Sequence, residues 1–158
     1  MHQFATFFIA RVDAKGRMMF ANAGHNYPVV GRYGGGDLLL DRGGLVLGIM
    51  EAVEYEENSI QLETGDRLVL YTDGITEAAN AEQEQFGEDR LREVLRALPA
   101  DLAAREVADR VFEALSVFLG GTEALDDQTL MVVRMVEPAG ALLQSDREEL
   151  VETARETL

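Results

Sequence analysis

The first half of the chain alternates short apolar runs with glycine-rich turns, a pattern typical of antiparallel strands. Residues 4–12 are almost all apolar, which predicts a strand that is buried on both faces. The segment Asp13-Ala14-Lys15-Gly16 predicts a hairpin turn, because Asp and Gly favour tight turns. We therefore expect an antiparallel meander, with further strands over residues 17–23, 27–33, 38–40, 53–62 and 67–72.

The second half of the chain changes to helical spacing. Apolar residues recur at intervals of three and four, which predicts two amphipathic helices. Pro99 ends the first helix, and Gly120-Gly121 ends the second. The apolar stripes consist of Leu91, Val94, Leu95 and Leu98 in the first helix and of Val107, Val111, Leu115 and Phe118 in the second.

The C-terminal part of the chain predicts one more strand and one more helix. The strand is expected over residues 130–136, and the capping pattern of Ser145 and Glu148 predicts a helix over residues 144–157. Strands followed by helices and a returning strand indicate an α+β fold, in which antiparallel β-sheets are layered with helices. We expect a single domain over residues 1–158.

Composition narrows the function classes. The formal net charge is −15, so the surface should repel nucleic acid and anionic lipid. The absence of cysteine excludes disulfides and thiolate metal sites. The longest apolar runs are far too short to span a membrane, and the N-terminus has no signal-peptide pattern. We therefore expect a cytoplasmic protein that binds neither membranes nor nucleic acid.

Two aspartate sites are the candidates for chemistry. Asp73 follows the predicted buried strand 67–72, and Asp126-Asp127 precedes the last strand. Adjacent carboxylates repel each other, and a hard divalent cation would relieve that repulsion. Each site taken alone is more typical of a solvated turn or loop than of a metal site, so the residues by themselves are weak evidence for a metal ion.

His25 also has two interpretations. Histidine side chains in general titrate near neutrality, so this residue could serve as a catalytic acid. The commoner use of a histidine next to a glycine turn is to hold the loop by hydrogen bonds, here the loop at Gly24, and we favour that interpretation.

Three segments in series carry a family resemblance. The chain resembles the metal-dependent, type 2C-like serine/threonine protein phosphatases, in the bacterial branch typified by stage II sporulation E and the sigma-factor-regulating phosphatases. The resemblance covers residues 4–136. Its segments are Asn22-Ala23-Gly24-His25-Asn26-Tyr27-Pro28, Tyr71-Thr72-Asp73-Gly74-Ile75-Thr76-Glu77-Ala78 and Asp126-Asp127-Gln128-Thr129.

The resemblance implies a fold, a reaction and partners. The fold would be an αββα sandwich with two Mn²⁺ or Mg²⁺ ions at one end. The reaction would be the hydrolysis of phosphoserine or phosphothreonine by a metal-activated water. Asp73 and Asp126 would be the catalytic metal ligands, with Asp127 as an outer or occasional ligand. The substrate would be a phosphorylated anti-sigma-factor antagonist, and the partner an upstream sensor or receiver domain.

The chain departs from the family pattern at its N-terminus. Relatives carry an upstream Asp-x-x-Gly-His-Gly-like segment whose Asp bridges both metal ions, and nothing before Phe4 matches it. Gly24-His25 is a different segment, because it follows two predicted strands and lacks the preceding Asp. We therefore expect a phosphatase domain that is incomplete at its N-terminus, with a second metal site that has no evident ligands. The apolar sheet thereby exposed would favour a homodimer or a domain swap.

Two other functions stay open at this point. A truncated or degenerate domain would be a catalytically inactive protein-binding module. An unrelated acidic α+β protein would bind Ca²⁺ selectively at the same carboxylates.

Overall fold

The computed structural model describes residues 3–137. Strands and helices follow one another in the predicted order, and they confirm the α+β class. The predicted helix over residues 144–157 lies outside the described residues. The strands are β1 (Phe7–Val12), β2 (Arg17–Ala23), β3 (Val29–Gly31), β4 (Asp37–Leu39), β5 (Asn58–Gln61), β6 (Arg67–Tyr71) and β7 (Leu130–Arg134), and the helices are α1 (Asp73–Thr76), α2 (Gly87–Ala97) and α3 (Ala104–Leu119).

The strands form two antiparallel sheets that face each other. One sheet has the order β1-β2-β5, and the other has the order β4-β3-β6-β7. Met18 and Phe20 of β2 share a buried cluster with Val30 of β3 and Leu68 of β6. The predicted single meander is therefore wrong. Strands such as β6 are apolar on both faces and need a layer on each side, so the chain crosses between two sheets instead of extending one.

Helices α2 and α3 cover the outer face of the β4-β3-β6-β7 sheet. The predicted stripes are confirmed, since Val107, Val111 and Leu115 are at most 1% exposed and pack with Val69 of β6. Each such side chain contributes about 1.5–3 kcal/mol when it is fully buried. Gly120 ends α3 in the left-handed conformation, with φ of 59°. None of the described helices is both long and apolar enough to cross a membrane.

Strand β1 differs from its prediction. It lies at the edge of its sheet, and Phe7 and Ile9 are 51% and 56% exposed, so the predicted burial on both faces is wrong. Only the opposite face meets the second sheet, where the Phe8 ring stacks on Phe20. An apolar run alone does not tell which faces other elements cover. We call the outer face of this sheet, formed by Phe7, Ile9, Met19 and Ala21, the open face.

The pairing of β6 with β7 brings the two aspartate segments together. These strands are antiparallel neighbours with Tyr71 opposite Leu130. The residues that follow β6 and those that precede β7 therefore lie at the same edge of the sheet. Asp73 opens α1 immediately after β6, and Asp126-Asp127 stands just before β7.

Candidate metal and substrate site

Thr72 joins the two aspartate segments. Its backbone N–H donates to the Thr129 carbonyl at 3.1 Å, and its hydroxyl accepts from the Thr129 N–H at 3.0 Å. The same hydroxyl donates to the Asp127 carbonyl at 3.1 Å. A single side chain thus fixes the end of β6 against the entrance of β7. Thr72 belongs to the predicted motif, but no role was predicted for it.

Gly74 allows a close approach between the same two segments. A Cβ at this position would lie 2.4 Å from the Asp127 carbonyl oxygen, closer than any real side chain tolerates. Close packing against Asp127 therefore requires a glycine at position 74, independently of its backbone angles. Together, Thr72 and Gly74 hold the backbone at Asp127 directly against the first turn of α1.

The carboxylates are oriented by their own neighbours. Asp73 Oδ1 accepts from the Gly74 N–H at 3.0 Å, and Asp126 Oδ1 accepts from the Asp127 N–H at 2.8 Å. All three aspartates are exposed. Within residues 3–137, no hydrogen bond reaches the second oxygen of Asp73 or of Asp126. Each carboxylate therefore keeps one oxygen for a ligand.

These donors fit one side of a Mg²⁺ or Mn²⁺ site. Mg²⁺ is typically bound by one or two carboxylates, with water and phosphate oxygens completing its octahedron. Asp73 and Asp126 supply hard oxygen donors from two segments that Thr72 and Gly74 hold together. The described part of the chain gathers no group of three or more His, Cys, Asp or Glu side chains that could hold a metal ion. Further ligands would have to be waters, substrate oxygens or residues outside this part.

A pocket of about 420 Å³ opens beside Asp73. Its charged lining is acidic, with carboxylates from Asp73, Glu77 and Glu88, and none of the described residues that line it is Lys or Arg. Asp126 and Asp127 do not line this pocket. The lining consists of Thr6, Gly24, His25, Asn26, Tyr27, Gly43, Gly44, Tyr71, Thr72, Asp73, Glu77 and Glu88.

The side chain of Asn22 holds the His25 loop. Asn22 is 2% exposed; its Oδ1 accepts from the His25 N–H at 2.7 Å, and its Nδ2 donates to the His25 carbonyl at 2.9 Å. The imidazole itself takes no part in this pair of bonds, and its Nδ1 lies 3.2 Å from Thr6 Oγ1. Asn22 belongs to the motif quoted from the sequence, but no role was predicted for it. Its residue type was a usable signal, because asparagine side chains commonly hydrogen-bond to nearby backbone groups in turns.

Tyr71 and Glu88 are neighbours in the lining of the pocket. Tyr71 is 3% exposed, and burial together with the neighbouring Glu88 carboxylate raises the pKa of its hydroxyl far above the ordinary value. Tyr71 therefore stays protonated throughout the neutral range. Glu88 Oε1 is buried and receives no hydrogen bond from the described residues. A buried carboxylate oxygen in that position has the capacity to accept a hydrogen bond from a bound molecule.

Comparisons with known proteins agree on one family. A family model described as Stage II sporulation protein E (SpoIIE) matches residues 1–136. Protein IcfG of Synechocystis sp. is 31% identical over 135 residues, which make up 84% of this chain and 21% of IcfG. The matched span agrees with the resemblance predicted over residues 4–136.

Solved structures agree on the fold. The PP2C phosphatase domain of SpoIIE from Bacillus subtilis, with a fragment of its regulatory domain, aligns with a TM-score of 0.69 at 25% identity, over 82% of this chain and 37% of that chain. The RsbU and RsbW domains of a Mycobacterium tuberculosis protein align with a TM-score of 0.64 at 22% identity, over 93% of this chain and 44% of that chain. The chain thus spans less than half the length of IcfG and of either of these structures.

Proposed function

Since the chain belongs to the SpoIIE family, we propose that it supplies part of the active site of a metal-dependent protein serine/threonine phosphatase. The observation that carries this proposal is the juxtaposition of the Asp73 and Asp126-Asp127 segments. Thr72 and Gly74 hold these segments together, and each carboxylate keeps one oxygen for a ligand. Such an arrangement would suit a divalent cation, which Asp73 and Asp126 would hold and which would supply charge neutralisation for a phosphoryl group.

Asp73 and Asp126 are the residues that would hold Mn²⁺ or Mg²⁺, with Asp127 as an outer or occasional ligand. When bound, such an ion lowers the pKa of a water and neutralises charge on the phosphoryl oxygens. The chain's own contribution is orientation. The Gly74 and Asp127 N–H groups each fix one oxygen of a carboxylate, and Thr72 fixes the distance between the two segments.

The substrate we propose is a phosphoserine or phosphothreonine on a regulatory protein, of the anti-sigma-factor antagonist type. A pocket of about 420 Å³ beside Asp73 can receive a phosphorylated side chain but not a folded domain. A regulatory domain accompanies the phosphatase domain in the Bacillus subtilis structure, and an RsbW domain accompanies RsbU in the Mycobacterium tuberculosis structure. We propose an upstream sensor or receiver domain as the corresponding partner of this chain.

A catalytically inactive protein-binding module is the second candidate. The observation that favours it is that the described part of the chain gathers no group of three or more side chains that could hold a metal ion. In that case the same surface would bind the phosphoprotein or its partner without hydrolysis.

The test is Mn²⁺-dependent hydrolysis of p-nitrophenyl phosphate. It should be measured with this chain and with the chain extended by its natural upstream sequence. In whichever form is active, Asp73→Asn should lower kcat/KM at least about 100-fold, because it removes a ligand charge. Asp41→Asn, at an exposed loop carboxylate, is the matched control and should leave activity unchanged.

Two outcomes would contradict the proposal. Retained activity in Asp73→Asn would remove Asp73 from the metal site. Absence of activity from both forms, when both are folded and loaded with metal, would favour the binding module. Circular dichroism and thermal unfolding should show that each variant keeps its fold.

A further inference from the structure

The carboxylates that line the pocket beside Asp73 repel a phosphate ligand. A phosphate monoester carries a charge of about −1.5 to −2 at neutral pH. Three carboxylates line the pocket, and none of the described lining residues is Lys or Arg. A metal ion at Asp73 would offset part of this repulsion. Hydrogen-bond donors on the chain itself can offset more of it.

His25 is the strongest candidate donor in the lining. It is the single histidine in residues 3–137, and the other noncarboxylate side chains of the pocket are neutral amides, hydroxyls and phenols. Its backbone is fixed on both sides by the buried Asn22. Because the loop does not depend on the imidazole, the ring is available for a ligand.

Thr6 is hydrogen-bonded to the imidazole of His25 at Nδ1. Its Oγ1 lies 3.2 Å from His25 Nδ1. When the hydroxyl donates to Nδ1, the neutral imidazole carries its proton on Nε2. The Nε2–H group is then the free end of a ring that lines the pocket together with Asp73.

We propose that His25 binds the phosphoryl group of the substrate by donating a hydrogen bond from Nε2, with Thr6 and Asn22 as its positioning residues. The identity of the ligand as a phosphate ester rests on the proposed function. The phosphate contact itself can be tested without turnover. His25 acts here by binding, so its loss should affect affinity more than the rate of the chemical step.

The first test is binding of inorganic phosphate at pH 7.5, with and without Mg²⁺. A His2→Gln background leaves one imidazole, whose Nε2 is followed by ¹⁵N NMR. We expect phosphate to shift the Nε2 resonance. We expect His25→Ala to weaken phosphate binding about tenfold or more, as for a lost hydrogen bond to a charged group.

Conservative variants separate binding from a structural role. The amide of His25→Gln can replace the Nε2 donor, so phosphate affinity should stay within about threefold of the parent. Thr6→Ser keeps the orienting hydroxyl and should bind phosphate like the parent. Thr6→Val removes that hydroxyl and should weaken binding. The same order should appear in KM for p-nitrophenyl phosphate, with kcat changed by less than about threefold.

The two proposals fail differently. If phosphate shifts the Nε2 resonance but the protein has no phosphatase activity, the proposed catalysis is overturned. The His25 contact with phosphate is then still supported. An unshifted Nε2 resonance, or equal phosphate affinity in a folded His25→Ala variant, would overturn the His25 contact whatever the activity.

Discussion

The two sheets of this molecule share apolar strands but differ in what covers their outer faces. Both contain strands that are apolar on two faces. In the β4-β3-β6-β7 sheet, helices α2 and α3 cover the outer face, and Val69 is 1% exposed beneath them. In the β1-β2-β5 sheet, Phe7 and Ile9 on the open face are more than half exposed. The covered sheet carries the aspartates through β6 and β7, whereas the segments at the ends of β1 and β2 carry Thr6, Asn22 and His25.

This difference between the sheets indicates where side-chain positions must be fixed most firmly. The proposed metal ligands Asp73 and Asp126 stand next to β6 and β7 of the helix-covered sheet, and metal ligands tolerate small displacements poorly. The open sheet contributes a loop that its own side chains hold locally, through Asn22. We therefore expect substitutions on the covered side to be costly and those on the open face to be mild.

The largest combined effect on activity and stability is expected at Gly74, among the variants that compare the two sheets. Gly74→Ala places a Cβ 2.4 Å from the Asp127 carbonyl oxygen and must separate the two aspartate segments. We expect at least about a tenfold loss of phosphatase kcat/KM, and about 1–3 kcal/mol lower free energy of unfolding from overpacking. Gly34→Ala is the matched control, because nothing lies within 4 Å of its Cβ. Equal behaviour of the two variants would mean that the close approach has no role.

The next effect compares the same substitution in the two environments. Ile75 is 0% exposed in the covered core, and Ile9 is 56% exposed on the open face. Ile75→Thr should lower the free energy of unfolding by at least about 2 kcal/mol, because it buries a hydroxyl and removes a methyl group. Ile9→Thr keeps the β-branched shape and should change it by less than about 0.5 kcal/mol. Urea denaturation measures both.

A large decrease in the free energy of unfolding for Ile9→Thr would contradict this comparison. A second protein copy or another segment of the chain would then have to cover the open face. Repeating the denaturation over a range of protein concentrations would reveal a second copy in that position. Repeating it with the upstream-extended chain would reveal a covering segment of the same polypeptide.

The smallest effect concerns Asp66, which links the sheets where the chain crosses from β5 to β6. Arg32 Nη1 donates to Asp66 Oδ2 at 2.6 Å and to the Gln61 carbonyl at 2.9 Å. Burial opposes the charged form of Asp66, but hydrogen bonds from the Glu63 and Tyr33 N–H groups and from Arg32 outweigh it, so its pKa lies below the ordinary value.

Because its pKa falls on folding, Asp66 stabilises the native state above the pKa of an unfolded aspartate, about 4, and loses this contribution as the pH falls through its lower folded value. Asp66→Asn should lower the free energy of unfolding by about 1–2 kcal/mol at pH 7, because it weakens charge-assisted hydrogen bonds. The decrease should be smaller below about pH 4. Thermal unfolding across pH, with Asp41→Asn as the exposed control, tests this. A cost that is independent of pH would contradict the role of the charge.

Local patterns predicted the elements well. β2 has the predicted bounds of 17–23, and the helical stripes are those that are buried. The position of the aspartates at strand ends also followed from the chain, because turn residues bound a clear apolar run. In contrast, the division of the strands between two sheets depends on pairing across long sequence separations, which periodicity does not encode.

The sequence predicted the charged residues of the candidate site but not the residues that position them. The short polar side chains that organise it, Thr72 and Asn22, act through geometry, and their residue types occur in any turn. The burial of β1 was wrong for a related reason. The sequence shows which side chains are apolar but not which neighbouring layer is present to cover them.

The pairing of Tyr71 with Leu130 has a consequence for variation in chain length. Only Asp127-Gln128-Thr129 separates Asp126 from β7, and Thr72 fixes two of these three residues. An insertion or deletion there would move Asp126 by about 3.3 Å per residue and turn its side chain to the other face. The exposed stretch over residues 121–125, which follows α3, can lengthen or shorten without this penalty. Homologous or engineered chains should therefore vary in length before Asp126. They should keep the same number of residues between Asp126 and β7.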